Sequence, residues 1–420
     1  MLPPELWLHI FSCLDSGEDK LTLASLCCVS KTVFTLCQPL LFHSVSVSQF
    51  QHKSFEDALR HDEYGHERGK LIRRVALESY LGDTEEAPGD CEQEGMRDME
   101  CLQLCPSVLE LSYDFGNYAQ DDGDYNFIPT ATALLALPLV KSLRHLCLSS
   151  PEAPGIDLET FGHLIIAAHQ LSKLSLTLVD ATQLLTPVLR RFQSDPNYES
   201  QLCHLIWDET AYSGACSCET YLYLWSRIPS FKTFHYSGPY VHFRGIAGVP
   251  SPQLLTWVNV TRLVFLQTGD TDDDATGALR NLANLFPALK QLDFTARSLS
   301  CLLPRKNALP QLAKFTIRYP SDLLNKDWAD ELLYRSRLLL IQDFAPGLQH
   351  LIIVVEEETI DDEDALGMVK EWLSRLEAFG LEYASPTFQI VTVEFGQRSQ
   401  VYGRNQNGIL SAQHRGIWKV

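Results

Sequence analysis

The chain has 420 residues, 45% of them hydrophobic and 21% charged, and its 34 basic against 53 acidic residues leave a net charge of −19. That length exceeds one small core and points to several units or a repeat. The acidic balance argues against DNA or RNA as a bulk partner, because neutralising phosphates takes a basic surface. The 12 cysteines are irregularly spaced, with no Cys-x-x-Cys, so they do not read as a disulfide framework. They read as thiols of a reducing compartment, many serving as small core residues. The N-terminus lacks the basic stretch of a secretory signal, and no apolar run reaches the ~18 to 20 residues of a membrane helix. The expectation is a soluble chain, cytoplasmic and/or nuclear, with no membrane partner.

The chain opens MLPPELWLHIFSCLD. Pro3 and Pro4 suit the first turn of a helix, where no amide donor is needed. Leu6, Ile10 and Leu14 then form one helical stripe, with Trp7 and Phe11 as a second beside it. Asp15-Ser16-Gly17 ends that helix. A second helix is predicted over Leu21 to Cys28, burying Leu23 and Leu26. Ser30 is placed to cap a third, from Lys31 to Gln38, stopped by Pro39. A first helix that is apolar nearly all round is buried in a larger core or in a partner.

These residues resemble the F-box motif. Leu2, Pro3, Glu5, Leu6, Ile10, Phe11 and Leu14 match its first part, and Leu23, Leu26, Val29 and Lys31 in LASLCCVSK match its second. The Trp often found in the family's third helix is missing; Val33, Phe34 and Leu36 stand in its neighbourhood. The resemblance implies that residues 1–40 dock the Skp-type adaptor of cullin–RING ubiquitin ligases. Leu2, Pro3, Leu6, Ile10, Leu14, Leu23, Leu26 and Val29 would be the adaptor-binding residues.

Residues 41–420 carry a recurring pattern, apolar-x-x-apolar-x-apolar. It runs FHSVSV, IRRVAL, VLELSY, LRHLCL, LSKLSL, LCHLIW, FKTFHY, VTRLVF, LKQLDF, LAKFTI, LQHLII and FQIVTV. The spacing is the signal: starts at 143, 171, 202, 231, 260 and 289 lie 28, 31, 29, 29 and 29 residues apart. Helix-like stretches lie between, among them ETFGHLIIAAHQL, ATQLLTPVLRRFQ, GALRNLANLF and WADELLYRSRLLL. A strand and a helix every ~20 to 29 residues is the leucine-rich-repeat signature, in which neighbouring units stack to bury what one unit cannot. The predicted fold class is therefore α/β: a short all-helical F-box segment, then an irregular leucine-rich-repeat-like solenoid of strand–helix units. The junction PLLFHSVSV resembles that of fungal F-box proteins with such C-terminal regions. Pro151, Val179, Thr210, Pro239, Thr268 and Arg297 stand where the repeat consensus has Asn or Cys, so no asparagine ladder is expected. Acidic insertions near 82–100 and at 356–364, and DDGD at 121–124, are expected to be solvated loops.

Catalytic patterns fail on inspection. Asp272-Asp273-Asp274-Ala275-Thr276 has the Asp-x-Asp-x-Thr order of a phosphatase nucleophile, but its strand ends at Leu266, several residues too early. Asp270, Asp272 and Asp274 have calcium-loop spacing, but Ala275 stands where the turn needs Gly. Cys203, His204, Cys216 and Cys218 lack the usual spacing of zinc ligands, and the first two point to opposite faces of a strand. No metal, cofactor or catalytic residue is expected, and no Gly-x-Ser-x-Gly, P-loop or Rossmann fingerprint is present.

The third residue of each strand pattern should point away from the core. Those residues are Arg74, Glu110, His145, Lys173, His204, Thr233, Arg262, Gln291, Lys314 and His350, a row with four Lys or Arg, three His and one acid. Arg74, His145, Lys173, His204, Arg262, Lys314 and His350 are the candidate substrate-binding residues, suited to an acidic or phosphorylated protein segment. Together with the F-box resemblance, the expected function is the non-catalytic substrate receptor of an SCF-type cullin–RING ubiquitin ligase. The alternative is a non-ligase leucine-rich-repeat scaffold whose F-box-like end is only a structural cap.

Overall fold

A computed structural model of the chain describes residues 19–48, 51–61, 64–78, 100–114, 134–149, 158–177, 200–208, 230–238, 257–267, 285–295, 309–319, 344–355, 389–395, 398–404 and 410–414, with Ile10, Leu14, Ile228 and a few positions from 186 to 198 besides. The chain divides into two compact units, Met1–Ile206 with Ala211–Gly214, and Trp207–Thr210 with Ala215–Val420.

The first unit opens with a helical hairpin of α1 (Lys20–Cys27) and α2 (Lys31–Leu41). Ser30 is extended, at φ −163° and ψ 160°, and its hydroxyl accepts from the Val33 amide at 3.2 Å, the expected N-cap. Leu23, Val33 and Cys37 form the hairpin core, with Leu14, Leu26, Cys27, Leu36, Leu40 and Leu41 packed around it. Burial pushes the Cys37 thiol up to about 11, so it serves as a small core residue rather than a nucleophile. Pro39 does not stop α2 as expected; the helix runs on to Leu41. Pro39 has no amide to offer the Thr35 carbonyl. The last turn is held instead by the packing of Leu40 and Leu41 on the hairpin core and by the Phe42 amide donating to the Gln38 carbonyl at 3.1 Å.

Strands β1 (Ser44–Ser48), β2 (Arg74–Glu78), β3 (Glu110–Asp114), β4 (His145–Ser149) and β5 (Lys173–Thr177) form a parallel ladder, and β6 (His204–Asp208) straddles the division between the units. Two helices, α3 (His52–His61) and α4 (Gly65–Leu71), join β1 to β2. They pack so closely that a Cβ on Gly65 would run into the backbone of Ala58 and Leu59; a Cβ on Gly69 would run into the Leu104 carbonyl, between β2 and β3. The predicted ETFGHLIIAAHQL helix is α5 (Leu158–Ala167), with Phe161, Leu164 and Ile165 buried.

Within the ladder the apolar positions align as columns. Val45, Val75, Leu111, Leu146 and Leu174 are register partners in turn, as are Val47, Leu77, Tyr113, Leu148 and Leu176. All but Val45 are buried. Ile72, Val108, Leu143, Leu171 and Leu202, the first apolar residue of each pattern, are buried too. One hydrogen-bond device opens each strand from β2 to β6. The His43 carbonyl accepts from the amides of Arg73 and Arg74; Arg73 accepts from Leu109 and Glu110; Leu109 from Arg144 and His145; Arg144 from Ser172 and Lys173; Ser172 from Cys203 and His204.

The second unit repeats this plan in β7 (Thr233–Gly238), β8 (Arg262–Gln267), β9 (Gln291–Thr295), β10 (Lys314–Tyr319), β11 (His350–Val355) and β12 (Ile390–Phe395), all parallel. Its core is richer in aromatic residues than that of the first unit, whose columns are aliphatic but for Tyr113. Trp207, Tyr236, Phe265 and Phe294 make consecutive ring contacts at 5.6, 5.4 and 6.1 Å between centroids. Trp257 packs on Phe231, Phe234 and Phe286 at 5.4, 5.2 and 5.2 Å. The ladder ends antiparallel, β12 pairing with β13 (Arg398–Arg404) and β13 with β14 (Leu410–His414). These last two strands were not expected. The Gly396-Gln397 step between β12 and β13 and the Asn407-Gly408 step before β14 are both hairpin signals.

The twelve strand patterns from FHSVSV to FQIVTV thus correspond to β1 through β12, each strand beginning at the third residue of its pattern. The fold is the predicted α/β ladder of leucine-rich-repeat-like strand units behind an N-terminal helical hairpin. The acidic stretches at 82–99, 121–124 and 356–364, the six consensus-asparagine positions, the WADELLYRSRLLL stretch and nearly all of GALRNLANLF lie outside the described residues.

If the columns carry the stability, Leu146→Ala should cost about 2 to 5 kcal/mol and Phe234→Ala about 3 to 5 kcal/mol, whereas Gln291→Ala on the outward side should stay within about 0.5 kcal/mol. Urea unfolding of the three variants checks this; equal costs at all three positions would overturn the column assignment.

Candidate functional site

Alternation along each strand turns the residues between the apolar columns to the opposite side of the sheet. The first residues of the strands are register partners. In the first unit they are Arg74, Glu110, His145 and Lys173, with His204 opening β6. In the second they are Thr233, Arg262, Gln291, Lys314, His350 and Ile390. The structure therefore gathers the predicted substrate-binding residues into two rows, none of them buried, with neighbours about 4.8 Å apart in the strand-to-strand direction.

The row of the first unit is internally compensated. Arg74 Nε lies 2.9 Å from Glu110 Oε2, and the same oxygen lies 3.7 Å from His145 Nδ1. His145 Nε2 is 3.4 Å from Ser175 Oγ on the next strand. Burial, reinforced by the neighbouring Lys173, pushes His145 below its ordinary 6.5, and Glu110 opposes the shift. His43, just before β1, is also pushed down, first by burial and then by Arg74. An exposed pair such as Arg74–Glu110 adds little stability; its consequence here is that Arg74 already has a partner.

The second unit holds a two-pronged ion pair deeper along its strands. Arg318 Nε lies 2.7 Å from Asp293 Oδ1 and Arg318 Nη2 donates to Asp293 Oδ2 at 3.0 Å. This geometry is the strong, directional form of the contact. His235, on the same outward side, is pushed below 6.5 by burial, with Asp293 and Asp208 opposing and Arg318 and Arg262 adding to the shift. His350 Nε2 sits 3.0 Å from Thr392 Oγ1, and burial followed by Lys314 pushes this imidazole down as well. Among the described residues, no carboxylate lies within ion-pair distance of Lys173, Arg262 or Lys314.

Asp293, Arg318, His235, Ser175 and Thr392 were not among the predicted site residues. A signal for them existed: they occupy the third or fifth strand position, on the same side as the first.

The N-terminal candidates separate into two sets. Leu2, Pro3 and Leu6 lie outside the described residues. Leu23 is wholly buried in the hairpin core, with Leu14 and Leu26 packed against it. Ile10 and Val29 face solvent, 40% and 62% exposed, and so does Leu21 at 86%. Leu21 was read only as the start of a helix. It stands two residues from Leu23, which places the two about 200° apart around the helix: one inward, one outward.

Cys203 Sγ points to the Ser172 carbonyl at 3.3 Å, and the neighbouring His204 is exposed. Cys216, Cys218 and the acidic stretch Asp270 to Asp274 lie outside the described residues. Among the described residues, no group of three His, Cys, Asp or Glu is placed to hold a metal ion, and no helix is long and apolar enough to cross a membrane.

No protein-family model matches the chain, and no curated protein matches it in sequence. Among solved structures it is similar to the leucine-rich repeat-containing protein LegL7 from Legionella pneumophila, at 12% identity and a TM-score of 0.42, over 79% of this chain and 90% of that one. It is also similar to a chain of the Rad7 and Elc1 complex in yeast, at 12% identity and a TM-score of 0.32, over 77% of this chain and 75% of that one.

The depressed histidines set a direction for acid sensitivity. The folded state holds His145, His235 and His350 below 6.5, so near and below that pH the unfolded chain binds more protons. Their contribution to stability is complete above pH 6.5 and is lost as the pH falls through the folded values. Urea midpoints at pH 7.5, 6.5 and 5.5 should therefore fall, and the triple Gln variant at these positions should show a flatter decline. An unchanged slope would overturn this account.

Proposed function

We propose that the chain is a substrate-receptor subunit of an SCF-type cullin–RING ubiquitin ligase. Residues 1–40 would engage the Skp-type adaptor, and residues 41–420 would present a protein-binding surface. The observation that carries the proposal is the N-terminal hairpin. Residues there match the F-box pattern, and the hairpin turns Leu21 and Val29, with Ile10 before it, to solvent instead of burying them in its own core. Three large apolar residues left exposed within a 20-residue stretch favour a protein partner that covers them. Within the proposed docking segment, Leu14, Leu23 and Leu26 shape the hairpin, and Ile10, Leu21 and Val29 make the contact, joined by Leu2, Pro3 and Leu6.

The chain's role in this scheme is proximity. Holding a substrate on the outward strand faces raises the effective concentration of its lysines near a ubiquitin carrier brought by the ligase. In this scheme the bond making belongs to the ubiquitin carrier and the ligase, and this chain only holds the substrate.

A second reading, a leucine-rich-repeat scaffold with the hairpin as its structural cap, is favoured by one observation. Leu14, Leu23 and Leu26, three of the residues matching the F-box pattern, pack within the hairpin itself.

A pull-down with purified Skp-type adaptor separates the two. Full-length protein should bind, and Ile10→Ala and Val29→Ala should each weaken the complex by about 1 to 3 kcal/mol, the range of buried anchor residues. Leu21→Asp should weaken it further while leaving the unfolding midpoint unchanged. No binding by folded full-length protein would decide for the scaffold.

A further inference from the structure

Arg262, Gln291 and Lys314 open three consecutive strands, β8, β9 and β10, and are direct register partners. With strands about 4.8 Å apart, the Cα positions of the two cationic residues stand roughly 10 Å from each other, with that of Gln291 between them. Two other outward-facing arginines are matched: Arg74 by Glu110 and Arg318 by Asp293. Among the described residues, Arg262 and Lys314 have no such carboxylate. Edge protection does not explain these charges, because β8, β9 and β10 are each hydrogen-bonded on both sides, and charged gatekeepers serve unpaired edges. On a chain of net charge −19, this is a local reversal of sign placed on a rigid sheet.

We propose that this row binds an extended acidic peptide segment lying across the strands, with two anionic side chains three residues apart. A polyproline-II segment rises about 3.1 Å per residue with three residues per turn, so positions i and i+3 lie on one side about 9 Å apart. That repeat matches the span from Arg262 to Lys314. The Arg262 guanidinium offers a fork to one anion, Lys314 a point charge to the other, and the Gln291 amide a neutral donor between them. Carboxylates and phosphates share this chemistry. The inference rests on the reading of the outward strand face as the protein-binding one and gives that face a ligand class.

Fluorescence anisotropy of the full chain with labelled peptides tests it. The probes share a proline-rich frame around Glu-Pro-Pro-Glu, with the two acids replaced by phosphoserine in a second peptide and by Gln in a third. The acidic peptides should bind at least about tenfold tighter than the Gln peptide, and Arg262→Gln with Lys314→Gln should remove that preference. Single Arg262→Gln and Lys314→Gln variants, checked for an unchanged urea midpoint, guard against misfolding of the double variant and should each lose part of it. Lys53→Glu with Lys141→Glu, at exposed positions of the first unit, alters net charge more and should leave binding unchanged. A stronger phosphoserine or a stronger Glu peptide identifies which anion is preferred, and either supports the site. Equal binding of the Gln peptide, an undiminished preference in the double variant, or no binding of either acidic peptide would overturn it. No adaptor enters this titration. Peptide binding by a chain that fails the adaptor pull-down would keep the site and remove the ligase reading; the reverse pattern would remove the site alone.

Discussion

Strands β2 to β6 and β8 to β12 are each set in place by two successive amides donating to one carbonyl, that of a residue at the entry to the strand before. The pairs Arg73 and Arg74 on His43, Ser172 and Lys173 on Arg144, and Gln349 and His350 on Ala313 are instances of one device repeated down both units. It sets the register before any side chain is considered. Because side chains alternate with period two, a slip of one residue would turn every apolar column to solvent and every outward row into the core. The columns therefore need this register, and the register is in turn held by the columns, since one five-residue strand buries too little to stand alone.

The two units meet this requirement with different side chains. The first stacks mainly Leu and Val at the strand positions; the second stacks Trp, Tyr and Phe across successive repeats. Rings at about 5 to 6 Å in edge-on, tilted and stacked arrangements add a modest directional gain to the area they bury. On the outward side, backbone positions spaced by the sheet carry ionisable groups whose states depend on one another: Glu110 between Arg74 and His145, Asp293 beneath Arg318 and near His235. A rigid array of this kind fits recognition of another chain better than chemistry, because its groups are spread along rows rather than converging on one point.

Much of this was legible in the residues. The strands were readable because apolar-x-x-apolar-x-apolar records both the turn residue before the strand and the two inward strand positions, and its recurrence removed the ambiguity of any single instance. The Ser30 cap was readable because a hydroxyl before a helix has one obvious amide to satisfy. The run of α2 past Pro39 was not, because local rules weigh the missing amide of proline and cannot weigh the packing of Leu40 and Leu41 on a core that only the hairpin creates. The closing strands β13 and β14 were missed because they are polar, RSQVYGR and LSAQH, and lack the repeat's apolar spacing. Their hairpin steps lay in plain view.

The amino-acid order alone determined the fold class, the strand positions and the row of outward first residues, since these follow from periodicity and from the inability of a single repeat to bury its own face. Only the tertiary structure decided which members of that row have a carboxylate partner among the described residues. Arg74 and Arg262 occupy equivalent places in the pattern, yet one meets Glu110 on the next strand and the other meets Gln291. It also decided which F-box-like residues point inward: Leu23 enters the core that α1 and α2 share, and Val29 faces solvent. Both distinctions arise from neighbours distant in sequence or across a helix, and the strength of an ionic or apolar contact depends on which neighbour is there.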